Sequence, residues 1–100
     1  MTITNQQEGN ALTMTIEGRI DTQTAPDLTK AVQAVPEDVT SLVLDFTNVF
    51  YISSAGLRSV LMAQNMMNAR SGGSMVIRGA GKNIVGVFKV TGFDTFLTFE

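Results

Sequence analysis

This sequence predicts an α/β fold built on a mostly parallel sheet, and three observations carry that expectation. Apolar residues at Leu12, Met14 and Ile16 alternate with threonine, the period-2 mark of a strand with one buried face. From residue 19 onward, strand-like and helix-like stretches alternate, which requires βαβ crossovers and parallel pairing. Gly9-Asn10, two residues that tolerate positive φ, separates the first two strands and makes them an antiparallel edge hairpin. The expected architecture is one domain over residues 1–100, with a mostly parallel central sheet, that N-terminal hairpin and about three helices.

Each element has a local reason. Thr2 to Asn5 forms a short first strand against the Leu12–Ile16 stretch. Thr24 is placed to cap a first helix, with Pro26 in its opening turn and Asp27 reaching back as in a capping box. Leu28, Val32 and Val35 give that helix its apolar face, and Pro36 stops it for want of an amide proton. Ser41 to Phe46 is a nearly continuous apolar run, expected as a central strand covered on both faces. Thr47 to Ser53 then reads as the connection into a second helix, from about Ser54 to Arg70, which Ser71-Gly72-Gly73 ends. Ser74 to Arg78 is a further strand. Ile84, Val87 and Phe88 have helical spacing before Gly92, and Phe96 to Phe99 alternates as a last strand.

Composition removes many functions. Among 100 residues there is no Cys, His or Trp, so the usual zinc sites, thiol nucleophiles, Ser-His-Asp triads and His-ligated haem are out of reach. Seven Lys+Arg stand scattered against nine Asp+Glu, a net charge of -2 that gives no basic surface for nucleic acid. Nothing in MTITNQQEGN resembles a targeting signal, and no apolar run approaches a membrane span, so no membrane insertion and a cytoplasmic location are expected. Gly79-Ala80-Gly81-Lys82 lacks the earlier glycine and following hydroxyl of a phosphate loop, since Val76 and Asn83 occupy those places, and reads as a turn into the third helix. Met62, Met66 and Met67 are either core filler or a soft docking surface.

Tyr51-Ile52-Ser53-Ser54-Ala55-Gly56-Leu57-Arg58 is the most informative stretch. It puts two hydroxyls where a central strand meets a helix N-terminus, the edge at which ligands gather in open α/β sheets. One serine serves as N-cap for the first-turn amides. The same amides and the positive end of the helix dipole would also accept a phosphoryl group of about -1.5 to -2 charge. Gly56, a poor helix residue in a first turn, implies a close approach, to a partner or to a neighbouring strand. Asp21 and Asp45 have no third group beside them that would make a hydrolytic centre.

Four marks in order resemble the STAS domain of anti-sigma factor antagonists: Gly18-Arg19-Ile20-Asp21, Leu42-Val43-Leu44-Asp45-Phe46, the serine stretch from Tyr51 to Arg58, and Val90-Thr91-Gly92-Phe93. The resemblance covers about Leu12 to Phe99. It implies partner switching, in which the unmodified chain captures an anti-sigma factor serine kinase, phosphorylation releases that kinase, and a cognate phosphatase resets the cycle. The phosphorylated position it implies is Ser54, two before Gly56 and closest to the helix amides. Asp21, Ser53, Ser54, Ala55, Gly56 and Arg58 are the implied partner-binding residues, with Asp21 near the acceptor serine. Some family members carry an acid where this chain has Ser53. No catalysis, metal or cofactor is expected of the chain. The rival readings are a STAS subunit of a lipid or small-molecule transport complex, and a site for a nucleotide or small ligand at the same edge.

Overall fold

Side-chain alternation decides which face of the sheet becomes the core. In the computed structural model, which describes residues 1–100, the chain runs β1 (Thr2–Glu8), β2 (Ala11–Ile20), α1 (Ala25–Gln33), β3 (Ser41–Ile52), α2 (Ser54–Asn68), β4 (Ser74–Arg78) and α3 (Lys82–Val90), followed by a 3-10 turn at Phe93–Phe96. The four strands form one sheet in the order β1-β2-β3-β4. β1 and β2 are antiparallel, joined at Gly9 with φ +59°, and β2, β3 and β4 are mutually parallel. The predicted hairpin and crossovers are therefore present, with β1 three residues longer than expected.

Register aligns the apolar positions in rows across the parallel strands: Leu12, Leu42 and Met75, then Met14, Leu44 and Ile77. These side chains are buried and join α1 (Leu28, Val32), α2 (Leu57, Val60, Ala63, Met67) and α3 (Ile84, Phe88) in a single 22-residue core. The opposite rows, Thr13-Val43-Val76 and Thr15-Asp45-Arg78, have no buried member. β3 is thus central in hydrogen bonding but fully covered on only one face, because all three helices contribute to the same core.

Two further expectations are corrected. Thr47 to Ile52 is not a connection but the second half of β3. β3 needs twelve residues to match ten of β2, with register shifts opposite Thr15/Glu17 and Gly18/Arg19. These bulges replace alternation by a buried-exposed-exposed rhythm at Phe46, Val49 and Ile52, which imitates a loop in the sequence. The last strand shrinks to one bridge, Phe99 beside Ile77, after a turn that takes in Phe96. Phe99 still reaches the core side, where its ring meets Phe88 edge-on at 5.4 Å.

The methionines divide. Met67 is fully buried, while Met62 and Met66 are half-buried against the core rim. Arg70, just past α2, turns back over the α1–β3 connection. Its guanidinium donates to the carbonyls of Pro36 at 2.6 Å, Val39 at 2.7 Å and Val35 at 3.2 Å.

Candidate functional site

The carboxyl ends of β2 and β3 converge, because Ile20 pairs with Ile52 and the Ser53 amide donates to the Ile20 carbonyl at 2.8 Å. Asp21 and Ser53 therefore leave the sheet side by side, Asp21 toward α1 and Ser53 into α2. Ser53 is the N-cap: its backbone is extended and its Oγ accepts the Gly56 amide at 3.3 Å. Ser54, the first helical residue, is exposed, and its hydroxyl bonds to nothing in the chain. The capping oxygen is thus that of Ser53, not of Ser54, although Ser54 had been expected closest to the helix amides. Division of labour follows, with one serine holding the helix and the next left free.

Replacing Ser53 by alanine should consequently cost about 0.5–1 kcal/mol, the lower part of the usual cap range because the bond is long. Ser54→Ala should stay within about 0.5 kcal/mol, as for an uninvolved surface position. Urea denaturation of the two variants checks this, and the reverse ranking would return the cap to Ser54.

Asp21 is held by its own loop. Its Oδ1 accepts the amides of Gln23 and Thr24, both at 3.0 Å, while its own amide donates to Thr24 Oγ1 at 2.8 Å. The Thr24 hydroxyl also lies 2.9 Å from the Arg19 carbonyl and 3.2 Å from Asp21 Oδ1. Thr24 stands at the N-cap of α1 yet makes no side-chain cap bond, so the expected Thr24–Asp27 box is absent. The acid that gathers the free amides is Asp21, because the chain turns through Gln23 and Thr24 before the helix begins. The Thr24 amide, assisted by the Gln23 amide, the Thr24 hydroxyl and nearby Arg19, holds the Asp21 carboxyl below the usual range against the opposing effect of desolvation. Asp45 is lowered likewise, chiefly by the Thr47 hydroxyl at 2.7 Å and amide at 2.9 Å, so it fastens the first β3 bulge.

Lowered carboxyls stabilise the folded chain above the unfolded carboxylate pKa of about 3.9, and that contribution is lost as pH falls through the lower folded values. Melting temperature should therefore fall between about pH 5 and pH 2. The slope should be shallower in an Asp21→Asn/Asp45→Asn variant, and an unchanged slope would assign the acid sensitivity to other groups.

Arg19 and Tyr51 complete the edge, and neither had been singled out as a site residue. The guanidinium lies 4.3 Å from the Tyr51 ring centroid and 3.8 Å from Asp21 Oδ2. Phe50, in the second bulge, is 60% exposed, and Tyr51 beside it 41%. Two adjacent aromatics just before the serines are the available signal, hidden because the bulged second half of β3 imitates a loop. Gly56 is buried, and a Cβ there would lie 2.7 Å from Ile20 Cγ2 and 2.8 Å from Ile52 Cγ1. Its close approach is to the strand ends. Ala55 is half-buried and Arg58 exposed, on the side of α2 toward α1.

Fold and edge together define a class: a small α/β domain that presents a free hydroxyl at a helix start, flanked by aromatic and charged groups. A family model described as "Mlab, STAS domain" matches residues 3–98, and the chain belongs to this STAS family. Solved structures agree. An anti-sigma factor antagonist from Mycobacterium paratuberculosis is 26% identical, with a TM-score of 0.81 over 98% of this chain and 83% of that one. The anti-sigma factor antagonist SpoIIAA, a Bacillus cell fate determinant, has also been solved in phosphorylated form; its unphosphorylated form is 13% identical, with a TM-score of 0.77 over 99% and 87%. A sulfate transporter family protein from Wolinella succinogenes is 19% identical, with a TM-score of 0.78 over 90% and 76%. No curated protein matches the chain in sequence. No helix is long and apolar enough to cross a membrane.

Proposed function

We propose that this protein is an anti-sigma factor antagonist that works by partner switching. The unmodified form binds a cytoplasmic anti-sigma factor that is also a serine kinase, and phosphorylation at Ser54 releases it. A phosphatase restores the unmodified form, and the chain itself performs no catalysis and needs no cofactor. The observation that carries this reading is the free, exposed Ser54 hydroxyl at the first turn of α2, beside a neighbour that already does the capping. A phosphoryl group there gains the helix dipole and the unbonded first-turn amides, so it adds charge without removing a structural bond. At a desolvated interface the same charge weakens binding by repulsion and desolvation. The Mycobacterium antagonist and SpoIIAA, known in both phosphorylation states, support the assignment by likeness.

The test is incubation with a histidine-kinase-like ATPase, sought first among the neighbouring genes, followed by mass spectrometry and titration calorimetry. Phosphate is expected on Ser54, with the fold retained by circular dichroism and kinase affinity reduced about tenfold or more, since about 1.4 kcal/mol suffices for each factor of ten. Phosphate on Ser53, equal affinities or loss of fold would each defeat the mechanism. A second reading, a STAS subunit of a transport complex, is favoured by the sulfate transporter relative. Under it, the chain would co-purify with a permease and stay unmodified.

A further inference from the structure

Three of the seven lysines and arginines are engaged: Arg19 by Tyr51 and Asp21, Arg70 by three carbonyls, and Arg78 by Glu100 at 3.5 Å. The other four, Lys30, Arg58, Lys82 and Lys89, form no ion pair, and they fall into two pairs. Lys30 and Arg58 flank a cleft of about 420 Å³ between α1 and α2, and Lys82 and Lys89 flank one of equal volume on α3. The linings differ. Between the α3 lysines lie only Ala80, Val85 and Gly86, with no other side chain to hydrogen-bond. Between Lys30 and Arg58 lie Thr22, Thr29, Gln33 and Ser59, and no carboxylate lines the cleft. Its floor is fixed by the buried Ser59, whose Oγ is 2.8 Å from Thr29 Oγ1 and 3.2 Å from the Ala25 carbonyl.

A cleft with two unneutralised cations and several neutral polar groups suits carboxylates carried on a backbone that also needs hydrogen bonds. A polyanion such as nucleic acid is disfavoured, because the rest of a chain of net charge -2 offers no continuation of the positive surface. The cleft also adjoins the serine edge. Arg58 lies one turn after Ser54, and i,i+4 side chains share a helix face with about 5–6 Å between Cβ atoms. A guanidinium at that spacing takes a phosphate in preference to a single carboxylate, through paired charged hydrogen bonds.

We propose that the α1/α2 cleft binds an acidic segment of a partner protein through Arg58 and Lys30, and that phosphate on Ser54 weakens this binding by drawing Arg58 to itself. The second half rests on Ser54 being the acceptor, as read above; the first half stands without it.

The probe is a decaglutamate peptide titrated into the isotope-labelled chain and followed by amide shifts, with decaglutamine as control. Saturable shifts are expected at Thr22, Thr29, Lys30, Gln33, Arg58 and Ser59, with none from decaglutamine. Lys30→Glu/Arg58→Glu should weaken binding about tenfold or more, whereas Lys82→Glu/Lys89→Glu, an equal charge change on α3, should alter it by about threefold at most. Because all four side chains are at the surface, circular dichroism should be unchanged. No saturable binding, or equal losses from the two double variants, overturns the site. Chain carrying phosphoserine at 54 should bind about fivefold more weakly, or worse, than the unmodified chain. Undiminished binding by the phosphorylated chain overturns the switch. Failure of the antagonist reading shows elsewhere, as absence of phosphate on Ser54 after incubation with the kinase.

Discussion

Arg70→Met is expected to destabilise the fold by about 2–3 kcal/mol, the largest effect of any substitution of a half-exposed side chain in this chain. The guanidinium serves three carbonyls of the segment that carries the chain from α1 to β3, at Val35, Pro36 and Val39. Hydrogen bonds to a charged donor are worth about 1.5–3 kcal/mol each, but they are not additive, and water can reach the exposed Pro36 end of the loop once the arginine is gone. Methionine keeps most of the stem's packing against the rim, so the loss reads the carbonyl bonds and not a cavity. For a 100-residue chain, a deficit of this size should lower the melting temperature by roughly 10–20 °C. Arg70→Lys should recover less than half of it, because one ammonium cannot span the three acceptors that the planar fork reaches. Thermal melts of both variants decide the matter, and a shift under about 3 °C for Arg70→Met would mean that the loop holds itself.

Arg70 illustrates what a sequence of this kind hides. The end of α2 and the stop at Pro36 were legible locally, from helical spacing and from a missing amide proton. That a cation at one terminus would staple the other loop, more than 30 residues away, depends on the crossover geometry and has no local signature. The second half of β3 was missed for a related reason. Strand recognition relies on period 2, and two bulges reset the period at Thr47-Asn48 and Phe50-Tyr51, so an unbroken strand looked like a connection. The physical cue was Asp45 two residues before Thr47, an acid able to tie the bulge's amide and hydroxyl. Capping was only partly legible. Of the two serines, Ser53 supplies the cap oxygen of α2 because it leaves the paired strand ends and reaches the Gly56 amide, whereas Thr24 at the N-cap of α1 has its hydroxyl tied back to the Arg19 carbonyl and the Asp21 loop and caps nothing. The site's location was legible, since a serine pair after an apolar strand must fall at the carboxyl edge of a parallel sheet. Its aromatic flank was not.

Gly56 turns that edge into a stability prediction with a definite sign. In an open helix position, alanine for glycine gains about 1 kcal/mol of helix propensity. At Gly56 the added Cβ would stand 2.7 Å from Ile20 Cγ2, 2.8 Å from Ile52 Cγ1 and 3.1 Å from the Ile20 carbonyl oxygen. Both isoleucines are stiff, buried core residues at the strand ends, so neither can swing aside, and relief requires the start of α2 to lift from the sheet. Overpacking of this kind costs about 1–3 kcal/mol and outweighs the propensity gain, giving a net loss of about 1–2 kcal/mol for Gly56→Ala. Gly86 in α3 supplies the internal control, because a Cβ there meets nothing within 4 Å and alanine should stabilise the chain by up to about 1 kcal/mol. Opposite signs for the two substitutions, measured by urea denaturation, are the expected result. A Gly56→Ala chain more stable than the parent would show that α2 is free to move at its N-terminus. The glycine would then no longer explain how Ser53 and Ser54 are held against the ends of β2 and β3.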